Sequence, residues 1–328
     1  MSYEDITDWR ELLGLIIQEP GIRKRIDNEV GKQAVNIKRW INGKAEPRVQ
    51  NLRQLLNIIP EYRDQLLDLL GDSYAEALSP NSADPSRDIP SVFISTVLSA
   101  RANTHREIRY WSLCKLVIEQ AIGQLDPDRL GMAITVARCM KSDKYPTIRS
   151  LRETVAYGTY PWPGNLEQQA MFLGAESLAG LCVSTCRDVQ NNDIRNNNSL
   201  LPAHQVEFEE SAAAAPILFS GRIAGCMLVS STQPNFFLSQ YRLSFIHNYA
   251  NMLALAFEPH EFYESSNVRL EVMPLHSIQQ EYFSTFRHRV IEIVGETKVS
   301  APEAELKAWE ELEETLLEVQ RQKQATLA

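Results

Sequence analysis

The chain has 328 residues, of which 44% are hydrophobic and 23% are charged, and its formal net charge is −9. This composition is typical of globular proteins, and the length favours two domains. Because no apolar run reaches the roughly 18 residues of a membrane-spanning helix and the polar N-terminus is unlike a secretory signal, we expect a cytoplasmic protein without membrane contact.

The first 72 residues are predicted to form a helical domain. Apolar residues recur at helical spacing in TDWRELLGLIIQ, QAVNIKRWI and EYRDQLLDLLG, and PGIRKRIDNEV and RVQNLRQLL predict further short helices. Residues 73–90 are rich in proline and serine and are predicted to be a linker. The helical domain is therefore expected to be separate from the rest of the chain.

The helical domain carries most of the positive charge. Residues 20–55 contain nine basic and three acidic residues, a local charge of +6, so the rest of the chain carries −15. A basic segment joined to an acidic body predicts that the segment alone binds a polyanion.

The segment QAVNIKRWI, residues 33–41, shows how this charge is arranged. On a helical wheel Ile37 and Trp40 fall on one side, and Lys38 and Arg39 fall on the other. The tryptophan is therefore expected in the core. The opposite face offers cations for phosphates and donors for base edges, which a helix in the DNA major groove needs, although a cationic helix face can also be merely solvated.

Residues 22–52 resemble the helix-turn-helix of the XRE/Cro-repressor family, with a turn glycine at Gly31, a buried aliphatic residue at Ile37 and a tryptophan at Trp40. The resemblance implies an all-α helix-turn-helix bundle that binds double-stranded DNA. The positions that face bases in such domains are Gln33, Ala34, Val35, Lys38 and Arg39. The positions near the phosphate backbone are Arg23, Lys24, Asn42, Lys44 and Arg48.

Residues 91–265 predict both strands and helices. GMAITVARCMK predicts a strand, and AAAAPILFSGRIAGCMLVSS predicts two strands joined by a tight turn at Ser220 and Gly221. SQYRLSFIHNYANMLALAF predicts an amphipathic helix, whereas SLAGLCVST fits a helix or a strand. In the predicted helical C-terminal extension, residues 266–328, the apolar spacing fits a short coiled coil or a helix that packs on the domain.

Two stretches, residues 172–194 and 207–257, resemble GAF domains. The resemblance implies an α/β (α+β) fold for residues 91–265, with an antiparallel sheet flanked by helices, and a role in sensing a small molecule or in dimerisation. Cys186 is followed by Arg187 where bilin-binding members usually have histidine, so a bilin is not expected. The expected fold class is multidomain, with the helix-turn-helix bundle preceding the GAF-like domain and the helical tail.

The loop YGTYPWPGNLEQQAMF, residues 157–172, is rich in aromatic residues and could wall a small-molecule pocket or pack on its own domain. Two nearby arginines could hold an anionic ligand or pair with acids. The candidate ligand-binding residues are Tyr157, Tyr160, Trp162, Arg149 and Arg152.

No phosphate-binding loop, nucleophile elbow or HExxH motif is present, so no catalytic residue is predicted and the protein is not expected to be an enzyme. The six histidines are dispersed, and the five cysteines lie mostly in apolar contexts that predict buried free thiols, so no metal and no cofactor are expected. The sequence predicts a homodimeric DNA-binding transcriptional regulator with a possible small-molecule effector. The alternatives are a ligand-free dimerisation module and, less favoured, an enzyme with an unrecognised site.

Overall fold

A computed structural model describes residues 6, 8–19, 22–23, 34–47, 51–52, 55–56, 59, 62–70, 88–164, 166, 171–195 and 208–327. The chain divides into two compact units, Met1–Asp88 and Ile89–Ala328. The division lies inside the stretch that the sequence analysis predicts as a linker. Among the described residues, no helix combines the length and the apolar character needed to cross a bilayer.

The described residues of the first unit form the helices α1 (Trp9–Ile16), α2 (Ala34–Ile41) and α3 (Arg63–Leu70). Helix α1 begins at Asp8, whose carboxylate accepts a hydrogen bond from the backbone N–H of Arg10 at 2.9 Å, so the N-terminal dipole and an unsatisfied donor are both compensated. The helices predicted at these three positions are confirmed. Residues 24–33, which include the predicted turn of the helix-turn-helix, lie outside the described residues.

One apolar core holds the first unit together. Helix α1 buries the face predicted by its apolar spacing, and α2 and α3 add their apolar faces to the same core. Its buried members are Trp9, Leu12, Leu13, Ile16, Ile22, Ile37, Trp40, Leu52, Leu55, Leu56, Ile59, Leu66 and Leu70. Burial of each large side chain of this kind contributes about 1.5–3 kcal/mol, which is how helices of only eight residues remain folded.

The second unit is built on a sheet of six described strands: β1 (Met132–Cys139), β2 (Leu151–Gly158), β3 (Phe172–Leu173), β4 (Val189–Asn191), β5 (Ser211–Phe219) and β6 (Arg222–Ser231). Their order is β3-β2-β1-β6-β5-β4, and neighbouring strands are antiparallel. At the β5–β6 hairpin, Ser220 and Gly221 have φ of 50° and 76°, as a type I′ turn requires. The predicted antiparallel sheet and tight turn are confirmed.

Helices cover both faces of this sheet. The helices α4 (Ser91–Asn103), α5 (Arg106–Leu125) and α7 (Gln240–Leu253) join the core on one face, and α6 (Leu178–Thr185) packs on the other. The ambiguous segment SLAGLCVST is therefore helical. Its helix begins at Ser177, whose hydroxyl oxygen accepts a hydrogen bond from the N–H of Gly180 at 2.9 Å.

The C-terminal helices α8 (His276–Phe283), α9 (Phe286–Thr297) and α10 (Ala301–Leu327) belong to the second unit. Leu312, Leu316 and Leu317 of α10 are buried with Phe172 of strand β3 and with other residues of the unit, so the tail is a packing helix. The side-chain amide of Gln279 accepts from the N–H of Phe172 at 2.8 Å and donates to its carbonyl at 2.9 Å. The glutamine thus replaces a neighbouring strand at this edge of the sheet.

Candidate functional site

Helix α2 has the orientation that its sequence predicts. The side chains of Ile37 and Trp40 lie in the core of the first unit, with 2% and 5% of their surface exposed. Lys38 and Arg39 are exposed. The tryptophan is therefore a core residue, and the cationic face of the helix is open to a ligand.

The end of α2 is shaped by a Schellman motif. The N–H of Gly43 donates to the carbonyl of Trp40 at 3.0 Å, and the N–H of Lys44 donates to the carbonyl of Arg39 at 2.8 Å. Gly43 has φ of +66°, a conformation that glycine adopts without steric cost. Because the chain turns here, the exposed residues Asn42 and Lys44 follow directly on the helical cations.

We define the cationic surface as Lys38, Arg39, Asn42 and Lys44, all of which are exposed. Glu46, the acid nearest to it in sequence, forms an ion pair with Arg10 of helix α1. The guanidinium of Arg10 also lies 4.8 Å from the ring centroid of Trp9. Arg10 therefore compensates an acid that would otherwise weaken the positive potential of the cationic surface.

The other residues predicted to contact DNA are only partly described. Arg23 is exposed. Ala34 and Val35 belong to the first turn of α2, but their side chains are not described. Gln33, Lys24 and Arg48 lie outside the described residues.

The five residues predicted to bind a small molecule differ in burial. Tyr157 is near the end of β2, Tyr160 has 85% of its surface exposed, and Trp162 is buried with 6% exposed. A Cβ atom on Gly158 would lie only 2.7 Å from the Cβ of Trp162, so the absence of a side chain there lets the tryptophan pack on the strand. Trp162 therefore packs on its own domain, one of the two alternatives that the sequence left open.

Arg149 and Arg152 have different surroundings. Arg149 is buried and donates to Glu313 at 2.9 Å and to Glu314 at 3.0 Å. Arg152 is half-buried, and its guanidinium lies 4.2 Å from the ring centroid of Trp309 on α10. The first arginine thus joins α10 to the domain, whereas the second has no hydrogen bond or ion pair to the described residues.

Glu153 of β2 is not among the residues that the sequence predicts for a site. It is paired with Ala137 of β1, on the sheet face that α6 covers. Desolvation raises the pKa of its carboxyl to about 8, opposed by the hydrogen bond from the Met171 N–H at 3.1 Å and reinforced by the nearby Glu209. A carboxyl group of this kind carries a proton at neutral pH. Its strand position could have been found only by predicting β2 from LRETVAYG.

Four of the five cysteines meet where α6 packs on the sheet, although they come from three separate segments of the sequence. Cys139, Cys182 and Cys226 are buried there, and Cys186 packs beside them at the end of the helix. The neighbouring Cys226 thiol and burial raise the pKa of Cys182, and burial raises the pKa of Cys139. Thiols held in the protonated form are poor nucleophiles, so this cluster acts as apolar packing.

No protein-family model and no curated protein matches the chain. Among solved structures, the GAF domain of a phosphoenolpyruvate-protein phosphotransferase from Acinetobacter aligns with 51% of this chain and 93% of its own, at 15% identity and a TM-score of 0.35. The corresponding domain from Coxiella burnetii aligns with 52% and 93%, at 14% identity and a TM-score of 0.36. A free methionine-R-sulfoxide reductase from Thermoplasma acidophilum aligns with 48% and 97%, at 17% identity and a TM-score of 0.35. At these scores we transfer no activity and no ligand from them to this chain.

Proposed function

We propose that the protein is a DNA-binding transcriptional regulator. In this proposal the first unit binds double-stranded DNA through the cationic surface, and the second unit, a GAF-like domain, senses a small molecule or mediates dimerisation. The observation that carries the proposal is the division of α2 into a buried face with Ile37 and Trp40 and an exposed face with Lys38 and Arg39.

The chemistry of the cationic surface suits a duplex. Lys38 and Arg39 project from the helix, where they can reach base edges in the major groove, and each bidentate contact to a base would contribute about 1–3 kcal/mol of discrimination. Asn42 and Lys44 follow the end of the helix and suit phosphate contacts. The residues outside 20–55 carry a net charge of −15, which repels DNA. Binding is therefore restricted to the cationic surface.

A homodimer is part of the proposal because one small helical domain offers few contacts to DNA. Two copies would read half-sites about 34–36 Å apart on one face of the duplex. The second unit has apolar side chains suited to this role on α4 and α5: Val92 is 77% exposed, Ile108 58%, Leu98 54% and Trp111 44%. These exposed side chains favour the ligand-free dimerisation role as the second candidate for this unit.

The experiment is selection of bound sequences from a random duplex pool by the full chain, followed by binding measurements on the selected DNA. The wild type should enrich palindromic sites. The double variant K38A/R39A should lose at least about tenfold in affinity for them, since two direct contacts are removed.

The matched control is K141A/K144A, which also removes two positive charges, but from exposed positions between β1 and β2. It should bind the selected DNA as the wild type does. Equal losses in both double variants would show that only net charge matters, and an unenriched pool would reject DNA binding.

A further inference from the structure

Arg152 of β2 is a cation that the described residues leave without a counter-ion. Its Nε atom is buried and has no hydrogen-bond partner. Within the part of the chain that the structure describes, no hydrogen bond or ion pair is made by its guanidinium. Arg152 as a whole is only half-buried, so part of the residue remains accessible to solvent and to a ligand. Trp309 fixes the orientation of the group by stacking against it.

A second arginine adds to the positive charge. Arg138 of β1 is paired with Arg152 across the sheet, so the two side chains share a face. The carboxylate of Glu261 neutralises Arg138 by an ion pair, but it does not pair with Arg152. Burial and the Arg138 charge lower the pKa of Arg152 to about 10, so the site disfavours the cation that occupies it.

The influences that raise the pKa of Arg152 are weaker than those that lower it. Tyr110 of α5 and, after it, Glu305 of α10 raise the pKa of Arg152 less than burial and Arg138 lower it. The carboxylate of Glu305 accepts a hydrogen bond from the Trp309 indole N–H at 3.3 Å. Glu305 is exposed and is not within ion-pair distance of Arg152. A half-buried guanidinium that forms no ion pair with the described residues is the arrangement that binds a planar or tetrahedral oxyanion.

We propose that Arg152 is the anchor of a site for a small molecule carrying a carboxylate or phosphate group, with the oxyanion bound to the terminal nitrogens of Arg152 beside Trp309. This site rests on the small-molecule part of the proposed function and is independent of DNA binding. Because Trp309 lies on α10, an anion bound here would touch the C-terminal helix as well as the sheet.

The test is equilibrium dialysis of the full chain against inorganic phosphate, and separately against acetate, with chloride holding the ionic strength constant. The wild type should bind about one anion per chain at this site, and the comparison of phosphate with acetate identifies the preferred oxyanion. R152Q should weaken binding at least about tenfold, and R152K should be intermediate, because lysine keeps the charge but loses the fork.

Two further variants separate this site from other cations. K38A/R39A should still bind the anion, because this variant leaves Arg152 unchanged. If the phosphate were bound by the cationic surface, this variant would lose it. E305Q should tighten binding about two- to threefold by removing a nearby competing carboxylate. In buffer without oxyanions, R152Q should melt no lower than the wild type, because it removes a desolvated charge.

The proposal is overturned if the wild type binds neither anion at millimolar concentration or if R152Q binds as tightly as the wild type. If R152Q does not fold, anion binding by E305Q tests the proposal. Binding by E305Q that is no tighter than that of the wild type would reject the site. Failure here with intact binding of selected DNA would reject the anion site while leaving the DNA-binding proposal standing.

Discussion

The guanidinium of Arg149 donates a hydrogen bond to the carboxylate of Glu313 at 2.9 Å, and both side chains are buried, with 5% and 0% of their residue surface exposed. The other oxygen of Glu313 accepts a hydrogen bond from the Ser150 hydroxyl at 2.6 Å. This ion pair joins the segment before β2 to helix α10. Together with the apolar packing of Leu312, Leu316 and Leu317, it holds the C-terminal helix on the second unit.

Removal of Glu313 should therefore be costly. E313A should lower the free energy of unfolding by about 3 kcal/mol, because it leaves the Arg149 charge buried with a weaker set of partners. E314A is the matched control, since Glu314 also accepts from Arg149 at 3.0 Å but remains partly exposed, and its loss should cost under about 1 kcal/mol. Urea unfolding measures both, and equal costs would contradict a dominant role for the buried pair.

Glu153 should make stability depend on pH. Its usual pKa of 4.5 applies to the unfolded chain, and burial raises the pKa to about 8 in the folded protein. The folded state therefore binds the proton more tightly than the unfolded chain does. The stability that this proton adds is fully present below pH 4.5 and is lost as the pH rises to about 8. E153Q imitates the protonated carboxyl and keeps an acceptor for the Met171 N–H.

Thermal unfolding of the wild type and E153Q across this range measures the effect. The two proteins should differ little near pH 5, and E153Q should become the more stable by roughly 4 kcal/mol above pH 8. A difference that does not vary with pH would show that Glu153 titrates normally.

Two glycines of the first unit should respond oppositely to alanine. Gly43 has φ of +66°, and no atom of the described residues lies within 4 Å of an added Cβ, so G43A should cost about 1 kcal/mol through backbone strain. Gly14 lies inside α1, and an added Cβ would meet Ile41 at an ordinary 3.4 Å, so G14A should stabilise by about 0.5–1 kcal/mol. Thermal unfolding of the full chain measures both variants. If G14A also destabilised the protein, the contact of the added Cβ with Ile41 would outweigh the higher helix propensity of alanine.

The cationic surface should divide into specific and non-specific contacts. R39A should lose preference for the selected DNA sequence, because Arg39 reads bases in the proposal. K44A should weaken all DNA alike and reduce the slope of log affinity against log salt by about one. Binding of selected and random duplexes at several salt concentrations measures both variants, and identical behaviour would reject the division of roles.

Periodicity alone predicted the elements whose pattern is local. The apolar spacing of α2 placed Trp40 inside and Arg39 outside, because a helix repeats its faces within a few residues. Alternation predicted β1, and Ser220-Gly221 predicted the hairpin turn between β5 and β6, because backbone conformation at a tight turn depends on its own residues. These predictions required no knowledge of the remaining chain.

Tertiary structure alone decided which distant side chains meet. Arg149 and Arg152 are three residues apart and look equivalent in the sequence, yet one pairs with Glu313 of α10 and the other stacks on Trp309. The meeting of four cysteines where α6 packs on the sheet and the desolvation of Glu153 likewise depend on strand register and helix packing. Local pattern specifies which face of an element is apolar, but the electrostatic surroundings of a side chain come from segments far away along the chain.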